Sequence, residues 1–259
     1  MEVHTHSHLA SGETHTERKK FTHYLWEFLM LFLAVFCGFL AENQREHYIE
    51  HQREKQFMTT LIEDLKDDIA LADEQITTHK QKIEQNDSLI ELLSNTSPEM
   101  INRNDLYYLA RIGNRTVFFY NNDRTIEQMK YSGGLRLIRK KNVSNEIMRY
   151  YRKIEELKMI ENYDAEEQAG YKEHAVKIFD PVIFKNMSRT LVVQRLNSDP
   201  KLLITDHALL TEFAGKVQYL NGSRIRQLNM KEDIRNSALS LIDLLKNEYH
   251  LSEETPLEK

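Results

Sequence analysis

The chain has 259 residues, of which 29% are charged and 41% hydrophobic, and a formal net charge of −5. Basic residues are interleaved with acidic ones, which excludes the electrostatic footprint of a nucleic-acid-binding protein. Only 8 Gly and 4 Pro occur, too few for many strands and tight turns, and a single Cys excludes a disulfide framework. The expected fold class is therefore all-α, held by helix packing.

Residues 1–20 read as a disordered, His-rich tail. His4, His6 and His8 alternate, with His15 further on. Such a tract captures metal ions promiscuously but implies no closed four-ligand site.

Residues 21–41 form the only strongly apolar run. From Phe28 to Ala41 every residue is apolar or Gly, and the run extends back through Trp26 to Phe21. At about 1.5 Å per residue these positions reach roughly 31 Å, the thickness of a bilayer core. Cleavage after Ala41 would place Phe39 at −3, and cleavage after Gly38 would place Phe36 there, so neither fits a signal-peptide site. The run is thus expected to be a permanent anchor, with Trp26, Glu27, Phe28, Cys37 and Ala41 as its marker residues. Arg18, Lys19 and Lys20 abut it, whereas Arg45, Arg53 and Lys55 follow more distantly among acids. That proximity puts the N-terminus in the cytoplasm and the rest of the chain on the far side. Glu27 reads as a carboxylate snorkelling to the headgroups beside Tyr24 and Trp26, ahead of a proton or partner site.

Residues 42–94 read as a long stalk or coiled-coil helix. Ile62, Ile69, Ile76, Ile83 and Ile90 recur every seven residues, with Met58, Leu65, Ala72 and Leu93 in the matching d column. An Ile column at a and mixed residues at d specify a helix packed along a seam. His79 and Asn86 interrupt the d column, as register-setting polar residues can. Leu61 and Leu89 at g widen the stripe toward an intramolecular bundle, with self-association as the other option.

Residues 95–250 are expected to form a helical bundle against the stalk, followed by a flexible end at 251–259. Ser97-Pro98 signals a new helix start, Thr125 and Gln128 a capping box, and Ser132-Gly133-Gly134 a helix end. The run at Thr116 to Tyr120 reads as a packed loop. Long helices are expected from about Asn142 to Phe179 and from about Thr205 to Tyr249. Asp180-Pro181 and Asp199-Pro200 each mark a break and a helical restart, and Arg139 to Lys141 a solvated helix end.

One motif carries candidate chemistry. His47, Glu50 and His51 match the H-x-x-E-H zinc pattern, in which two imidazoles share a helix face around a general base. The motif lies in a charged stalk with no cleft expected around it, so a solvated reading stands ahead of a metal site. No cofactor and no small-molecule substrate follow from the sequence.

The stretch THTERKKFTHYLWEFLMLFLAVFCGFLAENQREHYIEHQREKQF and the later TIEQMKYSGGLRLIRKKNVSNEIMRYY resemble a family of uncharacterised membrane-anchored proteins from Bacteroidota. The resemblance runs over nearly the whole chain. It implies a single-pass protein of the bacterial inner membrane with a periplasmic helical domain, and it carries no activity and no functional residue. The expectation from the sequence is a non-enzymatic membrane scaffold or adaptor that binds the bilayer and a protein partner. Its alternatives are a sensory module acting through a partner and, last, a zinc-dependent hydrolase.

Overall fold

The computed structural model describes residues 17–94, 102–190 and 192–251, with side chains from Phe21 onward. The described residues form six α-helices, a single 3-10 turn and no strand, in agreement with the all-α expectation. In chain order these are α1 (Glu17–Ser94), α2 (Arg103–Gly113), α3 (Arg124–Ser132), the 3-10 turn Gly134–Leu137, α4 (Lys141–Ile178), α5 (Pro181–Met187) and α6 (His207–Tyr249). Helix α1 begins at Glu17, four residues inside the segment expected to be tail. The alternating histidines and Ser97-Pro98 lie outside the described residues.

The chain divides into two compact units, Met1–Arg53 and Glu54–Lys259. In the first, every side chain from Phe21 to Ala41 is exposed. Phe28, Phe32 and Phe36 stack at successive i, i+4 positions on one face, with ring centroids 6.4 and 5.9 Å apart. Helix α1 is thus long and apolar enough here to cross a membrane, judged by length and composition.

The second unit is a three-helix bundle of α1, α4 and α6, with the short helices packed around it. Ion pairs fix its register. Lys153–Asp233 (2.7 Å) and His174–Glu212 (2.9 Å) run α4 antiparallel to α6. Arg235–Asp73 and Lys80–Glu232 (3.0 Å) run α1 antiparallel to α6 as well. Two apolar clusters result. One joins Met58, Leu61 and Leu65 of α1 to Ile147, Ile154 and Leu157 of α4 and to Ile234, Ala238 and Leu245 of α6. The other joins Leu89 and Leu93 to Leu106 and Tyr107 of α2, Tyr171 and Ile178 of α4, and Phe213 and Val217 of α6.

The seam on α1 is rotated from the one expected. Met58, Leu65, Ala72 and Leu93 in the d column and Leu61 and Leu89 in the g column are fully buried. Of the Ile column, Ile62 is buried, Ile69 and Ile76 pack half-buried against the first cluster, Ile90 packs against the second, and Ile83 is half-buried outside both. The physical reason lies in the polar members of the same columns. Asp68 and Gln75 at g and His79 and Asn86 at d are all buried, and the first three bond other segments of the chain, turning d and g inward.

Several helix ends follow the expected punctuation. Asp180 Oδ1 accepts from the Val182 N–H at 2.7 Å, with Pro181 in the first turn, and Asp206 Oδ1 accepts from the Leu209 N–H at 2.9 Å. Gly133 ends α3 in the left-handed region at φ 71°. Asn102 caps α2. Other expected ends are not met. The expected capping box at Thr125 is replaced by a cap from another helix, because Asp64 Oδ2 accepts the Thr125 N–H at 2.8 Å. No helix restarts after Pro200; Asp199 instead bonds Arg103 at 2.9 Å. Lys140 sits at the start of α4, where it pairs with Glu248 at 2.9 Å and donates to the Glu248 carbonyl near the end of α6.

Candidate functional site

The zinc-like motif lies on the exposed part of α1. His47 Nδ1 is 3.7 Å from Glu50 Oε2, with His47 and His51 exposed and Glu50 half-buried. Among the described residues no group of three or more His, Cys, Asp or Glu side chains is placed to hold a metal ion. Of the anchor residues, Trp26, Phe28, Cys37 and Ala41 are exposed, and Glu27 faces His23 Nε2 at 3.1 Å.

The chemistry of the second unit is concentrated between its two apolar clusters. Here α1 contributes Gln75, His79, Lys82 and Asn86, α4 contributes Glu161 and Asp164, and α6 contributes Asn221, Arg224, Gln227 and Lys231. Apart from the half-buried Lys82, all are buried. Burying this many polar groups is costly unless they are bonded, and most of these are.

Two chains of hydrogen bonds cross the layer. In the first, Lys231 Nζ lies 3.2 Å from Glu161 Oε1 and donates to the Val117 carbonyl at 3.2 Å. Glu161 also accepts the Phe119 N–H at 3.1 Å, and Gln75 Nε2 donates to the Phe118 carbonyl at 2.9 Å. The loop at 116–120 is therefore held by side chains from three helices, and this is why its aromatic run forms no strand. Burial pushes the Lys231 amine down from its ordinary range, and the Glu161 carboxylate opposes that shift.

In the second chain, His79 Nδ1 donates to the Gln75 carbonyl at 3.0 Å and His79 Nε2 meets Gln227 Oε1 at 3.2 Å. Gln227 Nε2 and the Ser223 hydroxyl both donate to Asp164. A neutral imidazole carries only one N–H, so two ring nitrogens facing two oxygens favour the charged ring. Burial and the nearby Lys231 oppose that charge and pull the His79 pKa down to about 4.

A third group of acids on α1 holds backbone rather than charge. Asp68 accepts from the Tyr150 hydroxyl and the Asn122 N–H, both at 2.6 Å, and Glu54 accepts from the Arg139 N–H at 2.9 Å and the Tyr249 hydroxyl at 2.7 Å. Burial pushes the Asp68 carboxyl up to about 6 despite those bonds.

One end of the layer reaches a surface. Asp164 and Ser223 line an open groove of about 700 Å³ between α4 and α6, together with Tyr163, Glu167, Tyr219 and Arg226. Sequence reasoning picked out His79 and Asn86 as polar breaks in a heptad column. It missed Lys231, Arg224 and Glu161, which look like ordinary solvated-face residues of long helices. No family model, curated protein or solved structure matches the chain.

Proposed function

We propose that this protein is a single-pass, membrane-anchored helical adaptor that presents its bundle to a protein partner or to a second copy of itself. The observation that carries the reading is the exposure of every side chain from Phe21 to Ala41 on a helix long enough to span a bilayer. Roughly 25 cal/mol per Å² of apolar surface favours removing such a segment from water, and only lipid or another apolar helix can accept it. The basic Arg18, Lys19 and Lys20 favour a cytoplasmic N-terminus, with the bundle in the periplasm of a bacterial inner membrane. This placement accords with the resemblance to the Bacteroidota family of membrane-anchored proteins.

The test uses the full chain expressed in a bacterium. The adaptor reading expects it to stay in the membrane pellet after alkaline carbonate washing. It also expects a cysteine introduced at the exposed Tyr219, in a Cys37→Ser background, to react with a membrane-impermeant maleimide in spheroplasts. Release by carbonate ends the anchor, and protection of the Tyr219 site reverses the orientation. Light scattering in detergent then separates self-association from a one-chain particle.

A second reading, a sensory module, is favoured by Asp164. This residue lines the surface groove and is joined through Gln227 and His79 to the helix that bears the apolar segment. A ligand that took the Ser223 and Asp164 bonds would alter that chain. The sensory reading expects Asp164→Asn to change a partner's activity without changing membrane attachment, and it fails if the variant is indistinguishable from wild type.

A further inference from the structure

We propose that Arg224, Lys82 and Asn86 form a binding site for a small oxyanion of the phosphate class, at the edge of the polar layer nearest the end of α2.

Arg224 is buried on α6 with a divided guanidinium. Its Nη2 donates to the Gly113 carbonyl and to the Arg115 carbonyl, whereas its buried Nη1 has no hydrogen-bond partner among the described residues. No carboxylate among the described residues lies within ion-pair distance of it. Asn86 is completely buried on α1, and neither its Nδ2 nor its Oδ1 has a partner among the described residues. The two side chains converge on one residue: a Cβ on Gly113 would stand 3.2 Å from Asn86 Oδ1, and Gly113 supplies the carbonyl that Arg224 holds. Lys82, one turn before Asn86 on the same helix, bonds no described residue. Burial first, and then the charges of Arg224 and Arg115, bring its amine down to about 8.

Three cations thus crowd together. Of the acids in reach, Asp164 accepts from Gln227 and Ser223 and its charge partly offsets that of Arg224, and Asp87 Oδ1 accepts from Asn221 Nδ2 at 2.7 Å. Like charges placed together in a partly desolvated corner repel, and an unpaired buried donor costs about 1–3 kcal/mol. An oxyanion accepting from Arg224 Nη1, Asn86 Nδ2 and Lys82 Nζ removes both penalties at once, and its bonds are charge-assisted. The Asn221 Oδ1, also buried without a partner one turn from Arg224, is an acceptor. It selects for an anion that retains a hydroxyl, so hydrogen phosphate fits where sulfate does not. Lys82 is half-buried and Arg115 is exposed.

Thermal melts of the full chain in detergent, followed by helical circular dichroism, test the site. At fixed ionic strength and neutral pH, inorganic phosphate is expected to raise the melting temperature saturably, by mass action on the folded state, while chloride and sulfate do not. Lys82→Met should weaken the phosphate response at least tenfold, whereas Lys80→Met, on the exposed face two residues away, should leave it intact. Equal responses to phosphate, sulfate and chloride overturn the proposal, as does an undiminished response in Lys82→Met. Equilibrium dialysis of the wild-type chain against labelled phosphate decides the matter should that variant fail to fold: about one saturable site per chain is expected, and none overturns it.

Discussion

Lys231 and Glu161 face each other at 3.2 Å with side-chain exposures of 0% and 3%, an ion pair from which water is excluded. The pair joins α6 to α4, and both partners also bond the loop backbone, at the Val117 carbonyl and the Phe119 N–H. Its net worth is set by two large opposed quantities, desolvation of both charges and their mutual attraction. Removing one partner leaves only the cost. Lys231→Met is therefore expected to destabilise the bundle by about 3–5 kcal/mol. Adding Glu161→Gln should recover much of that, since the glutamine oxygen can still accept the Phe119 N–H and no charge is left unpaired. Chemical denaturation of the full chain in micelles measures both, and a double variant no more stable than Lys231→Met defeats the account.

Asp68 and His79 make opposite demands on pH. The folded His79 has a pKa of about 4, below its ordinary 6.5, so the unfolded chain takes up that proton first. Its contribution to stability is lost as pH falls from about 6.5 toward 4. The folded Asp68 has a pKa of about 6, above its ordinary 3.8, so the folded chain takes up that proton first. Its contribution grows as pH falls from about 6 toward 3.8 and is lost as pH rises through 6. Asp64, Asp67, Tyr150 and Asn122 face Asp68; Lys231, Arg224, Gln227 and Gln75 face His79. The two dependences overlap between about 4 and 6 and offset each other. Asp68→Asn should then lose stability on acidification across this window, and His79→Asn should gain it. Slopes of the same sign in the two variants, measured by melts at stepped pH, would contradict the assignment.

The heptad of α1 was legible in the sequence, but which of its columns is buried was not. Five isoleucines at a outweigh a d column that contains His79 and Asn86 and a g column that contains Asp68, Gln75 and Lys82. Pattern reading places such polar residues outward. Here Asp68 and Gln75 are paid back by the Asn122 N–H and the Phe118 carbonyl of a loop about 50 residues away, and local sequence carries no trace of that loop's return. The helix ends at Asp180-Pro181 and Gly133 were readable because a cap is a local device, and the start of α6 was read at about Thr205, beside its actual cap Asp206. The cap that Asp64 supplies to α3 was not, because it comes from another helix.

The rotated seam gives a direct comparison of two positions on α1. Leu65 is completely buried in the first apolar cluster, and Ile83 is half-buried beside the polar layer. Truncating a buried leucine removes its transfer free energy and leaves a cavity, so Leu65→Ala should cost about 2–5 kcal/mol. Ile83→Ala should cost about 1 kcal/mol or less, because part of that side chain already faces water and alanine has the better helix propensity. Melting temperatures that rank the two variants in reverse would restore the isoleucine column as the centre of the seam.

Gly113 and Gly170 test packing at the level of one methyl group, with opposite signs. Gly113 ends α2 without a positive φ, so its backbone can accept an alanine and only space decides the outcome. A Cβ there would stand 2.6 Å from the Tyr171 hydroxyl oxygen and 3.2 Å from Asn86 Oδ1. Neither is a free chain end. The Tyr171 hydroxyl is held by the Ala110 carbonyl at 2.7 Å, its ring lies 4.8 Å from that of Phe213, and Asn86 is completely buried. Gly113→Ala should therefore cost about 1–3 kcal/mol, as overpacked sites do. Gly170 lies within α4, where the nearest atom to a new Cβ is Lys216 Cδ at 3.5 Å, an ordinary contact with a flexible side chain. Gly170→Ala should stabilise by up to about 1 kcal/mol through helix propensity. Tyr171→Phe removes the obstructing oxygen, so combined with Gly113→Ala it should cost less than the sum of the two single variants. Additive losses would show that the methyl group meets some other obstacle, and that the junction of α2, α4 and Asn86 is not as close as its geometry states.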